Sequence, residues 1–318
     1  MTRIVCIGDA MVDVIVELGE AINIGSDTKS KISMVGGGAA ANTACWLGHT
    51  GQDVIFVGKV GNDAAGQQFV SDLEAHHVRH GDLRCQSATT GIVVVLVDDK
   101  GERTMFPDPG ANSLLSRSDL PELDNTSGAF LSGYSLYNPA LTEEVRAMMQ
   151  LIKSAGIPLI FDPASVGPMR NFGREKVISV LKDVDCVILN RDEARFLSGS
   201  EDIEEAIRIL HHSTETVVIK VGSDGAICID KENGISRLPS VATSVVDTTG
   251  AGDAFAAGFL PIWLERNDLR AAVEAGNRLA GECVAILGAR PRVNPRELHL
   301  SLRSEEHTSE LQSQFRIS

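Results

Sequence analysis

The groups that could do chemistry are densest at residues 247–260, which read DTTGAGDAFAAGFL. The second half is small and apolar, as in a helix packed closely on a sheet, so Gly250 and Gly252 lie where a loop becomes a helix N-terminus. Free N–H groups and the helix dipole favour an anion there. Asp253 follows, and a carboxylate beside a transferring phosphoryl group suits a general base that takes a hydroxyl proton. An N-cap role for Asp253 is the alternative, and this motif alone does not decide between them.

Two familiar phosphate-binding motifs are absent from the sequence. No G-x-x-x-x-G-K-[ST] occurs, which excludes a P-loop enzyme. The first apolar run is followed by Gly8-Asp9-Ala10 instead of G-x-G-x-x-G, which excludes a dinucleotide-binding Rossmann start.

The composition narrows the class of protein further. A net charge of −14 over 318 residues disfavours binding to nucleic acid or to acidic membranes. The six cysteines are dispersed without C-x-x-C, so neither a zinc site nor a disulfide framework is expected. No apolar run could span a bilayer and no signal peptide is recognised, which predicts a cytoplasmic protein. Histidines without ligand spacing are predicted to lie at the surface: His49, His76, His77, His80, His211 and His212.

Apolar runs alternate with helical patterns along the chain, which predicts an α/β protein with a mostly parallel sheet. The predicted strands cover residues 4–8, 54–58, 129–133, 158–162, 186–190, 217–222 and 226–230. The predicted helices cover residues 41–51, 142–156 and 191–199.

Two stretches depart from this alternation. Residues 91–108 are typical of a β-hairpin that turns at Asp99-Lys100-Gly101, and residues 15–35 contain short alternating segments. We interpret both as a small β-sheet lid that projects from the main domain. The alternative is that they are edge strands of the main sheet.

The C-terminal end carries a different kind of sequence. A core pattern ends near Leu302, which predicts one domain over residues 1–302. Residues 303–313, RSEEHTSELQS, resemble a translated fragment of a common sequencing-library adapter. The hypothesis is that residues 303–318 are a non-native tail without function; the alternative is an ordinary disordered terminus.

DTTGAGDAFAAGF closely resembles the C-terminal signature of ribokinase-like carbohydrate kinases, the PfkB family. Further matches follow in order over about residues 1–300. They are GGGAAANTA at 36–44, GKVGNDAAG at 58–66, GAN at 110–112, NRDE at 190–193 and KVGSDGA at 220–226. Coincidence over so many ordered elements is remote. The resemblance implies a doubly wound, mostly parallel sheet flanked by helices, with a small β-sheet lid.

The resemblance also implies roles for individual residues around the transferred phosphoryl group. Asp253 would be the catalytic base acting on a sugar hydroxyl, and Gly250, Ala251 and Gly252 would form the anion hole. The residues that would bind the substrate are Asp13, Gly37, Gly38 and Asn42. A carboxylate that accepts two hydroxyl protons suits a sugar diol.

On the nucleotide side the resemblance implies ATP and Mg²⁺. The positions near ATP would be Asn190, Lys220, Gly222, Gly225 and Asn277. Glu193 would organise the water shell of Mg²⁺, which usually keeps several waters. A K⁺ site used by many members would comprise Asp247, Thr249 and carbonyls near Cys283, Ile286 and Gly288.

The sequence departs from ribokinases at substrate positions. Ala39 and Ala40 replace lysine and glycine, and Tyr137 stands where ribokinases place an acid. The expected function is therefore an ATP-dependent sugar kinase for a pentose or ketohexose, with the exact sugar open. Alternatives are a nucleoside kinase, which a flat aromatic face would suit, and a catalytically silent sugar-binding relative. Apolar Val93, Val95 and Val97 suggest a homodimer formed through the lid.

Overall fold

Strands and helices alternate along the chain much as the apolar pattern predicts. The computed structural model describes residues 3–232, 234–241 and 244–292. Its strands are β1 Arg3–Ile7, β2 Met11–Leu18, β3 Ser30–Gly37, β4 Val54–Val57, β5 Val60–Gly61, β6 Arg79–His80, β7 Arg84–Cys85, β8 Gly91–Val97, β9 Arg103–Asp108, β10 Thr126–Ser132, β11 Leu159–Asp162, β12 Cys186–Asn190, β13 Thr216–Lys220, β14 Ala226–Asp230 and β15 Gly234–Leu238.

The helices lie mainly between these strands. They are α1 Ala39–His49, α2 Ala64–Ala75, α3 Gly133–Tyr137, α4 Thr142–Ser154, α5 Val166–Phe172, α6 Arg174–Leu181, α7 Arg191–Ser198, α8 Ile203–His211, α9 Ala251–Arg266 and α10 Leu269–Val284. Short 3₁₀ turns occur at Gly110–Leu114, Arg117–Asp119 and Gly222–Asp224.

The main sheet has nine strands in the order β15-β14-β13-β12-β11-β10-β1-β4-β6. Pairing is parallel from β13 through β6 and antiparallel from β13 to β15. The chain runs outward from β1 in one direction and then returns to build the other half from β10, which makes the sheet doubly wound. The predicted fold class is confirmed.

Alternate residues of the central strands pack on opposite faces of the sheet. Ile4 and Cys6 of β1 join the core formed with α1, α9 and α10. Val5 and Ile7 join the core formed with α4, α6 and α7. Because both faces are covered by helices, consecutive residues in these strands are apolar, which is why the strands could be predicted from the sequence.

The two irregular stretches form a separate sheet in the order β3-β2-β8-β9. Strands β8 and β9 make the predicted hairpin, in which Asp98 N–H donates to Glu102 O and Gly101 has a φ of +80°. Strand β8 pairs in parallel with β2. The small sheet predicted from residues 15–35 and 91–108 is therefore present, and the alternative of edge strands in the main sheet is wrong.

One predicted surface residue is buried. His76 is only 4% exposed, and its ring nitrogens lie 2.7 Å from Asp72 O and 3.0 Å from Pro291 O. The surface position predicted for it is wrong because the segment after α10 packs over the end of α2.

The tail 303–318 lies outside the described residues, so its interpretation and the single domain over 1–302 stay predictions. Within the described part of the chain, no helix has the length and apolar character that crossing a membrane requires.

Candidate active site

The main sheet and the small sheet enclose a cavity of about 720 Å³. On the main sheet, the lining residues lie where parallel strands end: Asp9 follows β1, Asp162 ends β11, Asn190 ends β12 and Lys220 ends β13. Open α/β sheets bind ligands beyond the carboxyl ends of their strands, where the winding direction reverses. The small sheet contributes Asp13, Val93, Val95 and Met105 from the opposite side.

The glycine-rich loop enters this cavity at the start of α9. Gly250 is the N-cap residue and has a φ of +77°, and a Cβ there would lie 2.6 Å from Ala289 Cα, so only glycine fits without displacement. Within the described residues, no carbonyl accepts from the N–H groups of Gly250, Gly252 or Asp253. Ala251 N–H differs, because it donates to Thr248 O at 3.3 Å. The loop therefore presents free amides at a helix N-terminus, as an anion site requires.

Asp253 lies in the first turn of α9 and faces the cavity. Its Oδ2 accepts a hydrogen bond from Asn42 Nδ2 at 2.9 Å. Gly250 is the N-cap residue of α9, so Asp253 does not have the alternative N-cap role. Burial raises the pKa of Asp253 to about 7, assisted by Asp162 and opposed by the Asn42 hydrogen bond, Lys220 and Arg290. A carboxylate whose pKa is near neutrality can both accept and release a proton.

The predicted substrate residues gather at the junction of the two sheets. Asp13 and Gly38 line the cavity, and Asn42 reaches it through its contact with Asp253. Gly37 pairs with Met11, and a Cβ on Gly37 would lie 2.3 Å from Asp13 Oδ1. Burial raises the pKa of Asp13, although the charge of Arg290 opposes this shift. The GGG segment thus leaves room for a carboxylate and a small polar ligand.

Asn190 and Glu193 form a reciprocal capping box at the start of α7. Asn190 N–H donates to Glu193 Oε2 at 2.7 Å, and Glu193 N–H donates to Asn190 Oδ1 at 2.9 Å. Glu193 is 1% exposed, and burial together with Asp162 raises its pKa to about 7 while Lys220 opposes. Both residues line the cavity, but Asn190 is engaged in holding Glu193.

Lys220 forms an ion pair that the sequence did not reveal. Its Nζ lies 2.9 Å from Asp162 Oδ2, and a Cβ on Gly252 would lie 3.0 Å from the same Nζ. Burial lowers and the charges of Asp162 and Glu193 raise the pKa of Lys220, with a net upward shift that keeps it charged. This fixed cation lies between the anion-hole loop and the acidic strand ends.

The remaining predicted nucleotide residues lie at the other end of the cavity. Gly222 begins a 3₁₀ turn with a φ of +68° and Gly225 follows it with a φ of +90°, and a Cβ on Gly225 would lie 2.1 Å from Leu238 O. Asn277 of α10 donates to Pro239 O at 3.0 Å. All three line the cavity. They share this cavity with Asp13.

The residues predicted for a K⁺ site lie together, and protein donors already contact the oxygens of Asp247 and the carbonyl of Cys283. Asp247 Oδ1 accepts from Thr249 N–H and from Arg103 Nη2, each at 3.0 Å, and Oδ2 accepts from Gly288 N–H at 3.0 Å. Cys283 O accepts from Ile286 N–H at 3.1 Å. The guanidinium of Arg103 from β9 thus supplies a positive charge beside Asp247, and the K⁺ site stays a prediction.

Tyr137 does not face the cavity as the sequence suggested. It is 8% exposed and packs against Phe172 at a ring distance of 5.3 Å. Tyr134, one turn earlier in α3, lines the cavity instead. Four further residues of the site were not predicted from the sequence: Asp9, Asp162, Arg103 and Arg290. Only the two acids carried a sequence signal, which is their position at the ends of predicted strands.

Residues 1–295 match the family described as pfkB family carbohydrate kinase. Fructokinase-2 of Oryza sativa subsp. japonica is 30% identical over 274 residues, which cover 80% of this chain and 81% of that protein.

Two solved structures have the same fold over nearly their full length. Adenosine kinase from Sinorhizobium meliloti has a TM-score of 0.83 and 25% identity, covering 96% of this chain and 99% of that chain. Arabidopsis thaliana ribokinase complexed with ribose and ATP has a TM-score of 0.79 and 26% identity, covering 95% and 98%. The chain belongs to the pfkB family of carbohydrate kinases.

Proposed function

We propose that Asp253 and the amides before it carry out the phosphoryl transfer of this ATP-dependent sugar kinase. The observation that carries the proposal is the pairing of free N–H groups at Gly250, Gly252 and Asp253 with a cavity-facing carboxylate. The sugar hydroxyl oxygen would bond to the γ-phosphorus of ATP while the bond from that phosphorus to the β–γ bridging oxygen breaks. The hydroxyl proton would pass to Asp253, and the amides would bind the charge on the phosphoryl oxygens.

The sugar would bind at the junction of the two sheets. Asp13 would accept hydrogen bonds from neighbouring hydroxyls, and the backbone of Gly37 and Gly38 would allow the ring to approach closely. Asn42 would orient Asp253 and border the same pocket. We assign the substrate to neutral pentoses or ketohexoses, because carboxylates of Asp9 and Asp13 line the sugar side and would repel an acid sugar.

The nucleotide would lie along the glycine turn and α10. Gly222, Gly225, Asn277 and Lys220 line that part of the cavity, and Lys220 would contact phosphate oxygens. Asn190 would act mainly by holding Glu193.

The residues fit Mg²⁺ bound through water. Among the described residues, no cluster of three His, Cys, Asp or Glu side chains could form a direct cage, and Glu193 keeps lone pairs beyond those that Asn190 uses. When bound, Mg²⁺ would neutralise charge on the ATP phosphates. Glu193 and Asp162 would orient its waters.

The residues do not fit K⁺. Asp247 accepts from protein donors at both carboxylate oxygens, and Arg103 supplies the positive charge. No step of the proposed mechanism uses a monovalent cation.

The small sheet would act as a lid. Val93, Val95, Met105 and Pro107 line the cavity and would exclude water, which limits hydrolysis of ATP.

Ile32, Met34 and Phe106 are more than half exposed, and we propose that these strands pair across a homodimer. Light scattering tests this, because a monomer at assay concentration contradicts it. The cytoplasmic location stays a prediction.

A nucleoside kinase is the second candidate, favoured by the apolar lid side chains and Tyr134 in the cavity. ADP release and product mass should be measured with pentoses, ketohexoses, keto-deoxy acids and nucleosides. Phosphorylation of ribose or fructose supports the main proposal. Turnover confined to nucleosides supports the second. If no compound in the panel causes ADP release from ATP, the remaining alternative is a catalytically silent sugar-binding relative.

A further inference from the structure

Arg290 lies six residues after Val284, the last residue of α10, and its guanidinium is buried beside the substrate pocket. Its side chain is 8% exposed and pairs with the carboxylate of Asp72 on α2. Nη2 donates to Gly37 O at 2.9 Å, and the guanidinium lies 5.1 Å from the centre of the Phe69 ring. Nε donates to Asn42 Oδ1 at 3.0 Å. Every nitrogen of this guanidinium is thus used in fixing its place.

The bond to Asn42 decides which way that amide faces. A guanidinium has only donors, so the amide must turn Oδ1 towards Arg290 and Nδ2 away from it. Nδ2 then donates to Asp253 Oδ2 at 2.9 Å. The flipped amide would place a donor against a cation and an acceptor against a carboxylate, and both contacts would be repulsive.

Arg290 also supplies charge to an acidic pocket. The charged groups around Asp253 are Asp162 and Lys220 from the strand ends, and Arg290 from behind Asn42. Burial raises the pKa of Tyr134 and of Cys283, and the nearby Asp253 charge adds to both shifts. Arg290 lowers the pKa of Asp13 and of Asp253, in opposition to burial. The ionised form of both acids is the one that accepts hydroxyl protons.

We propose that Arg290 is a positioning residue for phosphoryl transfer, which sets the amide of Asn42 so that it donates to Asp253 and holds the base ionised and aimed at the sugar. The proposal rests on the proposed role of Asp253. It assigns a function to Arg290, which no motif in the sequence marks.

The test compares Arg290→Met and Arg290→Lys with Arg174→Met. Arg174 also donates to a backbone carbonyl, Phe196 O at 3.1 Å, but it does not line the cavity. We expect Arg290→Met to lower kcat roughly tenfold or more, with a smaller effect on the KM for ATP, and to move the acid limb of the kcat profile to higher pH. Arg290→Lys keeps the charge. Its acid limb should therefore lie close to that of the unmodified enzyme, although its kcat should remain lower. Arg174→Met should change neither.

Loss of packing alone would lower Tm without moving the acid limb. An unshifted limb in a folded Arg290→Met enzyme therefore overturns the proposal. If that variant does not fold, a double-mutant cycle of Arg290→Lys with Asn42→Ala decides, because effects on kcat that add independently would overturn the link between them. Full activity of Asp253→Asn would instead refute the proposed function, so the two failures are distinguishable.

Discussion

Arg103 Nη2 lies 3.0 Å from Asp247 Oδ1, so an ion pair ties the small sheet to the loop that leads into the anion hole. The Arg103 guanidinium also donates to the hydroxyl of Thr249, the residue before Gly250. Burial raises the pKa of Asp247, but hydrogen bonds from Thr249, Gly288 and Arg103 outweigh it and lower the pKa to about 2. The acid is thus ionised throughout the physiological range and pairs with a cation that belongs to the chain.

We expect the activity to be independent of monovalent cations, because the Arg103 guanidinium already neutralises Asp247. The kcat in tetramethylammonium buffer should match that in K⁺ buffer. Arg103→Ala should lower kcat severalfold and introduce activation by K⁺, whereas Arg237→Ala, which removes an exposed arginine paired with Glu204, should do neither. A K⁺ requirement in the unmodified enzyme would contradict this account.

Asp253→Asn should lower kcat by roughly a hundredfold or more, because the amide cannot accept the hydroxyl proton. Binding of ATP, measured by calorimetry, should be largely retained because the side chain keeps its size. Asp183→Asn is the control, since it removes a surface carboxylate paired with Lys153. Near-normal turnover of Asp253→Asn would remove the base from the mechanism.

The free amides at the start of α9 and the carboxylate beside them could be predicted, because Gly250 and Asp253 are close in sequence. The anion-hole role of these amides stays a proposal. The contacts of Arg290 with Asn42 and of Asp162 with Lys220 could not be predicted, because each pair is more than fifty residues apart and meets through the packing of separate elements. Strands buried on both faces could also be predicted, since most of their consecutive residues are apolar.

Tyr137 shows why a residue type in a motif does not fix its direction. Tyr134 and Tyr137 lie three residues apart in the short helix Gly133–Tyr137, so their side chains are neighbours one turn apart, and the residue types alone do not fix which of the two reaches the cavity. Tyr134 is 40% exposed, whereas Tyr137 is 8% exposed. The sequence shows that both residues are tyrosines, but it does not determine how the helix that carries them packs.

The pH dependence should report the Asp253 carboxylate. Since its pKa is raised to about 7, the base is protonated below that pH and ionised above it, and kcat should rise as pH increases through about 7. Glu193 titrates near the same pH, so Glu193→Gln is needed to separate the two. The rise should persist in Glu193→Gln and be absent from the residual activity of Asp253→Asn. A rise that disappears only with Glu193→Gln would reassign it.

Gly37→Ala should raise the KM for the sugar. A Cβ at this position would lie 2.3 Å from Asp13 Oδ1, so the carboxylate must move out of the pocket. Gly81→Ala is the matched control, because a Cβ there meets nothing within 4 Å. We expect roughly a tenfold increase in KM for Gly37→Ala and none for the control. Unchanged sugar kinetics in Gly37→Ala would place substrate recognition away from Asp13.

The stability of the fold should fall at alkaline pH because of His76. Burial opposes its charge, but interactions with Cys45 and with the Pro291 and Asp72 carbonyls outweigh burial and raise the pKa from 6.5 to about 9. The folded state therefore binds the proton more tightly than the unfolded state. The stabilisation is fully present below pH 6.5 and is lost as pH rises from there through about 9.

Urea unfolding between pH 6 and pH 10 measures this loss, which we expect to be about 1–3 kcal/mol. His76→Gln should lower stability at pH 6 and flatten the dependence between 6.5 and 9. His77→Gln is the matched control, since His77 is exposed on the adjacent position. An unchanged slope in His76→Gln would mean that the ring is neutral in the folded state, with one nitrogen facing a carbonyl without a proton. His76 contacts the carbonyl of Pro291, and Pro291 follows Arg290 in the chain. Deprotonation of His76 should therefore also weaken the attachment of the segment whose Arg290 positions Asn42.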